Sequence, residues 1–484
     1  MAEAKKRIHR AGIDAEVEGS DYFERRQLQG GVAGWVLLAG LGVAYVISGD
    51  FAGWNFGLGE GGWGGLLIAT ILMAVMYTCM VFGLAEMASA MPVAGAGYGF
   101  ARRAMGPFGG FATGVAILIE YAIAPAAIAI FIGGYIEALG LFGLTNAWPI
   151  YLVCYAIFVG IHLWGVGEAL KLMFAITAVA MAALIVFIVV MVPKFDSANL
   201  FDIAPTDAAG ASEFLPFGYA GVLAAFVYGI WFFLAVEGVP LAAEEAHEPH
   251  KDMPKGIIGA MLVLLVTAAL VLLFGPGGAG SAAIADSDNP LPLAIREAYG
   301  GDTWAADFVN YVGLAGLVAS FFSIVYAYSR QLFALSRAGY LPRFLSVTNK
   351  RHTPHLALIV PGTIGFLLAA VTMDGALLIN IAVFGATVSY VLMMLAHILL
   401  RRNEPGLHRP YRTPGGVFTT GTALVLAVMA VVATFFVDEV AAGWTAVIFV
   451  AFLAYFWFYS RHHIVASAPE EEFELIESAE SELH

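Results

Sequence analysis

The stretch VISGDFAGWN, Val46–Asn55, interrupts the first long apolar run of the chain with a carboxylate, Asp50, and two glycines, Gly49 and Gly53. Glycine in a helix interior costs about 1 kcal/mol relative to alanine. A carboxylate at the centre of a membrane helix costs about 2.5–3.5 kcal/mol on insertion scales. Together they predict a span that unwinds at mid-depth with Asp50 at the break. The structural reading of Asp50 is a cap for the helix that restarts beyond it. The functional reading is a counter-charge for a cationic substrate.

The rest of the sequence makes the membrane setting plain. Of 484 residues, 60% are hydrophobic and only 12% charged, and the mean hydropathy is +0.82, far from the composition of soluble domains. Each helical crossing of a ~30 Å hydrocarbon core takes about 20 residues, so length here translates into spans. The first thirty residues are charged and lack the apolar core of a cleavable signal. Cys79 and Cys154 each lie in an apolar run and offer neither a disulfide framework nor a metal-ligand pattern. Much of the net charge of −14 sits in the tail Glu470–Leu483 and in the 196–213 loop, and reads as solvated surface. No basic run interleaved with aromatics suggests nucleic-acid binding.

Twelve apolar segments stand out, at about 31–57, 63–91, 108–139, 147–163, 169–193, 216–243, 254–275, 303–335, 355–372, 374–401, 415–436 and 441–461. With the N-terminus inside the cell, 21 of the 23 lysines and arginines fall on the cytoplasmic side, leaving Lys194 and Arg296 outside. That asymmetry predicts an even span count with both termini cytoplasmic. The expected organisation is a cytoplasmic segment 1–29, a transport core of ten spans over 30–402, two further spans with their preceding loop over 403–462, and an acidic tail 463–484.

The sixth span breaks as the first does, at FFLAVEGVP, Phe232–Pro240, where Glu237, Gly238 and Pro240 interrupt the helix. Breaks five spans apart predict two five-helix repeats in opposite orientation, and discontinuous helices at matching positions point to a transporter's binding site. Other intramembrane groups follow from the same reasoning. Glu120 stands near mid-depth on span three beside Tyr121, with no basic neighbour in sequence. Glu237 is a cap, a substrate contact or a proton carrier. Trp231, immediately before the second break, is placed to cover an ammonium by cation–π attraction, with packing as the alternative. Glu86 reads as an ion partner for Arg102 or Arg103 in the following loop. His162 and His397 read as interface residues, and Ser320 and Ser323 as hydroxyls bonded to backbone, with sodium ligation the less favoured alternative.

Several segments resemble the amino acid–polyamine–organocation superfamily: MPVAGAGYGFARRAMGPFGGFATG (Met91–Gly114), AEEAHEPHKDMPKGI (Ala243–Ile257), SRAGYLPRF (Ser336–Phe344) and RRNEPGLHRPYRTPGG (Arg401–Gly416). The likeness runs over nearly all of 30–462. VISGDFAGWNFGL with IEYAIAPAAIAIFIGGYIEALG (Ile119–Gly140) is most similar to the ethanolamine permease group. The resemblance implies an all-α integral membrane protein with twelve transmembrane helices, a leucine-transporter-like inverted five-plus-five core, and a site beside the broken helices 1 and 6. It places Ser48, Gly49, Asp50, Gly53, Trp54, Glu120, Tyr121, Trp231 and Glu237 at substrate-binding positions, and makes Glu237 the proton-coupling candidate. In amino-acid carriers of the superfamily a small triplet at the first break exposes amides to a carboxylate. Gly53, Trp54 and Asn55 stand at the matching positions, and the bulky Trp54 departs from that pattern. The mid-span lysine of some proton-coupled relatives is absent from span five, which has only Lys171 near its start.

Two acids and a filled carboxylate cradle suit an amino alcohol. The expected function is therefore uptake of ethanolamine or a close cationic amine across the cell membrane by alternating access, without cofactor or metal. Asp50 and Glu120 would hold the ammonium, and proton or sodium is the available coupling ion. An amino-acid permease or exchanger of the same fold is the alternative. An amine sensor or a membrane-embedded enzyme is less favoured, since no nucleophile–base arrangement or metal cluster is visible.

Overall fold

In hydrocarbon every backbone N–H and C=O must be satisfied within its own segment or a neighbour, so apolar runs of this length fold as helices. In the computed structural model, which describes residues 7–10, 13–16, 33–92, 95–140, 146–164 and 167–465, ten helices are long and apolar enough to cross a membrane, and two shorter apolar helices accompany them, Trp35–Phe51 and Trp148–Trp164. The protein is a multi-pass membrane protein. Most of the N-terminal charged segment and the acidic tail beyond Val465 lie outside the described residues.

The elements run as follows. A short hairpin, β1 (Arg7–Arg10) and β2 (Ile13–Glu16), precedes α1 (Trp35–Val46), α2 (Ser48–Phe51), α3 (Phe56–Ala90), α4 (Gly97–Glu137), α5 (Trp148–Trp164) and α6 (Gly167–Met191). Then come α7 (Gly218–Trp231), a 3₁₀ segment Val236–Glu245, α8 (Pro249–Ala279), α9 (Ser281–Ile284), α10 (Pro290–Tyr299) and α11 (Trp304–Arg337). The chain closes with α12 (His355–Thr372), α13 (Gly375–Asn403), α14 (Val417–Val437), α15 (Glu439–Phe458) and β3 (Ile464–Val465). The helix pairs that pack along one another include α1 with α8, α3 with α7, α4 with α13, and α6 with α11; α14 lies against α13 and α3. Glycines set how closely α13 meets α4: a Cβ on Gly385 would stand 2.8 Å from Ala116 O and 2.9 Å from Glu120 N.

Both described ends of the chain meet on one side of the bundle, where β2 pairs antiparallel with β1 and parallel with β3. Asp14 contacts His462 at 2.8 Å and Glu16 contacts Arg343 at 3.1 Å, which ties this small sheet to the turn after α11.

Several expectations change at the helix ends. Arg102 and Arg103 are not in a loop but in the first turns of α4, which continues through a kink at Gly106 (φ +78°). Arg103 pairs with Glu404. The buried Glu86 is an ion partner, as expected, but of Arg401 and of Arg409 at 3.0 Å, and it also accepts from the Thr413 N–H at 2.7 Å. His162 and His397 are both buried: His162 stacks on Phe322, and His397 stands 3.4 Å from Glu86.

On the opposite side, burial, with the carboxylates of Asp374 and Glu137 adding to it, pushes the Asp288 carboxyl up from 3.8 to about 6. A raised carboxyl makes the folded state bind its proton more tightly than the unfolded chain. Its stabilising effect is therefore greatest below pH 3.8 and is lost as pH rises through about 6. Asp288→Asn should raise the unfolding temperature at pH 7.5, by the equivalent of about 2 kcal/mol after discounting for partial exposure, and leave it unchanged at pH 4. Thermal unfolding in detergent at the two pH values checks this.

Candidate substrate site

The first interruption is built by specific contacts. Helical bonding of α1 ends with Ile47 N donating to Val43 O at 2.9 Å. The Ser320 hydroxyl on α11 then covers the exposed carbonyls, donating toward Ala44 O and Tyr45 O at 2.8 Å each and accepting from Ser48 N at 3.1 Å. Ser320 is thus committed to the backbone, and Ser323 donates to Ala319 O and contacts Met173 Sδ. After α2, Gly53 takes φ +96°, a conformation open to glycine and strained for other residues. Its N–H donates to Asn55 Oδ1 at 3.0 Å. The Asn55 amide in turn donates to Ile284 O, Ala285 O and Ser287 O. Asn55 therefore fixes where α3 restarts.

The second interruption follows α7. Ala235 adopts φ +77°, left-handed and unusual for a residue with a Cβ, and the chain continues as 3₁₀ through Glu237 and Pro240. Trp231 joins the two interruptions: its indole N–H donates to Ala52 O at 2.9 Å. Gly49 lies directly on its backbone, where a Cβ would be 2.4 Å from Trp231 O. Trp231 meets Phe131 edge-on, and Trp54 stacks on Phe232 with ring centroids 5.5 Å apart.

The intramembrane acids fall into two places. Glu120, Tyr121 and Glu237 come together. Glu237 accepts from Tyr121 Oη at 3.0 Å through one oxygen and from Tyr390 Oη at 3.1 Å through the other. Tyr77 on α3 extends the chain, 2.9 Å from Tyr390 Oη. Glu120 faces Glu237 and Tyr390, yet both of its carboxyl oxygens are buried without an aligned hydrogen-bond donor. Asp50 lies elsewhere, on α2 beside Thr267 of α8. The Thr267 hydroxyl is directed to Leu264 O at 3.2 Å, and both Asp50 oxygens are likewise buried and unpartnered.

Sequence reasoning missed Tyr77, Tyr390 and Thr267. A tyrosine in an apolar run carries no signal of its own, and only the fold brings these three to the acids. No lysine, arginine or histidine contacts Asp50, Glu120 or Glu237 among the described residues. Buried carboxylates are costly unless paired with a cation or a proton. The arrangement is suited to receive an ammonium group, and no cluster of potential metal ligands exists among the described residues.

Buried acids without a basic partner, in a chain with ten helices long and apolar enough to cross a membrane, are the pattern expected of a membrane transporter. The amino acid permease family model matches residues 35–466, and the chain belongs to that family. It is 27% identical over 427 residues to the branched-chain amino acid permease BcaP of Bacillus subtilis, covering 82% of this chain and 86% of that protein. It is 27% identical over 387 residues to the aromatic amino acid transport protein AroP of Escherichia coli O157:H7, covering 76% and 81%. A methylthioribose transporter of Bacillus subtilis is 26% identical over 373 residues, covering 72% of this chain and 76% of the relative.

Proposed function

We propose that the chain is a secondary transporter of the cell membrane that carries an amino acid by alternating access and holds it through its ammonium group. The observation that carries this reading is the buried Glu120 beside Glu237, without a basic partner, in a chain whose relatives BcaP and AroP are named as amino-acid carriers. Asp50, beside Thr267, is a second buried acid next to the first interruption, and Trp231 bridges the two interruptions through its bond to Ala52 O.

The chain has twelve spans, counting the two shorter apolar helices, of which spans 1–10 form the transport core, with spans 1 and 6 discontinuous and spans 1–5 and 6–10 as inverted repeats. The packing supports this. Exchanging each span with the one five places along turns the α1–α8 contact into α7–α3, and α4–α13 into α11–α6; all four pairs are close-packed. Both termini are cytoplasmic, in keeping with the excess of lysine and arginine on their side.

A second reading, ethanolamine as substrate, is favoured by the first interruption itself. The Gly53 N–H is taken by Asn55, and the adjoining Trp54 ring is packed on Phe232, which leaves this triplet poorly suited to a substrate carboxylate. Uptake of labelled leucine, phenylalanine and ethanolamine into proteoliposomes, with potential, proton and sodium gradients imposed separately, decides between the two. The first reading expects saturable leucine or phenylalanine uptake above that of ethanolamine; the reverse order selects the second. A membrane potential of ~100 mV alone supplies about 2.3 kcal/mol per charge, roughly 50-fold accumulation of a cation. No saturable uptake of any of the three would overturn both.

A further inference from the structure

The geometry points to a proton that is displaced when the substrate binds: the Glu120–Glu237 pair holds one exchangeable proton on Glu120, and the substrate's ammonium takes its place. This rests on the transport reading above and refines it, since the sequence pointed to Glu237 as the proton-coupling candidate.

The direction of the hydrogen bonds separates the two acids. A tyrosine hydroxyl has one proton to donate. Tyr121 and Tyr390 each direct theirs to a different oxygen of Glu237, and Tyr390 can then accept from Tyr77. Glu237 is thereby arranged as an acceptor on both oxygens, the pattern that a carboxylate requires. Two donors stabilise a negative charge on Glu237, and a proton there would weaken both bonds. Glu120 has the opposite setting: fully buried, facing Glu237 and Tyr390, with no donor aligned to either oxygen. A charged Glu120 there would be an uncompensated anion beside another anion. As a neutral acid it has an O–H to offer to Glu237.

The neighbours of Glu120 are Tyr121 on its own helix, Tyr77 from α3, Tyr390 from α13 and Glu237 from the 3₁₀ segment. The other helices packed on α4 place no charged side chain against it among the described residues.

The exchange balances. In the empty site Glu237 is an anion and Glu120 neutral. When the ammonium arrives, the Glu120 O–H bond breaks, its proton leaves to water along the substrate's path, and the cation lies between two carboxylates. For a cationic amine the net charge of the site is the same before and after; an amino acid brings its own carboxylate, a charge additional to this exchange.

Calorimetric titration of the purified protein with L-leucine and with ethanolamine, between pH 5.5 and 8.5 and in two buffers of different ionisation enthalpy, tests this. The expected result is a Kd for the bound probe that falls about tenfold per pH unit while Glu120 holds its proton, with an apparent enthalpy that differs between buffers as one released proton requires. Glu120→Gln should bind through Glu237 with a Kd independent of pH and no buffer dependence. Because the buffer comparison is made on the native protein, the test does not depend on how well that variant folds. Binding with a flat pH profile and a buffer-independent enthalpy would overturn the displaced proton while leaving the transport reading intact. Binding of neither probe would overturn the reading on which it rests.

Discussion

Gly49→Ala is expected to abolish uptake and sharply reduce the yield of folded protein. The methyl group would lie 2.4 Å from Trp231 O, 3.2 Å from its carbonyl carbon and 3.4 Å from the Phe232 Cα. All three are backbone atoms at the point where the two interruptions touch, so no rotamer change relieves the clash. Overpacking a rigid contact costs about 1–3 kcal/mol, occasionally more, and here it also drives apart the elements that carry Asp50 and Glu237. The matched control is Gly443→Ala in α15, where a Cβ would meet nothing within 4 Å. Size-exclusion profiles in detergent and proteoliposome uptake should show Gly443→Ala near wild type and Gly49→Ala reduced by at least about 100-fold in transport. Equal behaviour of the two variants would mean that α2 and the end of α7 do not touch as described.

Glu237→Gln carries the second large effect. The substitution keeps the volume and one acceptor for a tyrosine hydroxyl, so folding should survive. It removes the negative charge and turns half of the group into a donor that faces a tyrosine oxygen. Removing one partner of a desolvated charge pair costs about 2–5 kcal/mol, which corresponds to a Kd for the transported substrate raised by roughly 30-fold to several thousand-fold. Equilibrium binding on folded variant protein measures this. A Kd within a factor of two of wild type would show that Glu237 does not face the ammonium.

The sequence was informative where backbone chemistry decides. Gly49, Gly53, Gly238 and Pro240 mark the interruptions because a helix tolerates them poorly, and Asp50, Glu120 and Glu237 draw notice because acids are expensive in hydrocarbon. What it left hidden depends on tertiary neighbours. Asp50 and Glu120 suggest a single ammonium clamp when read along the chain. In the fold Asp50 faces Thr267, whereas Glu120 faces Glu237. The partner of Glu86 appears adjacent in sequence at Arg102 or Arg103, but Arg401 and Arg409 arrive from more than 300 residues away. The pairing of β2 with β3 went unread because Ile464–Val465 is too short to show a strand pattern. Tyr77 and Tyr390 are indistinguishable in the sequence from the other tyrosines of the apolar runs.

Carrier-mediated exchange is the central claim, and counterflow tests it most directly. Proteoliposomes are loaded with a high concentration of the unlabelled substrate, diluted into a trace of the same substrate labelled, and followed in the absence of ion gradients or a membrane potential. An alternating-access carrier predicts a transient overshoot of label inside the vesicles, absent from empty liposomes and from Glu237→Gln. Binding of the labelled substrate to the wild-type protein without any overshoot would contradict the account and make the site that of a sensor.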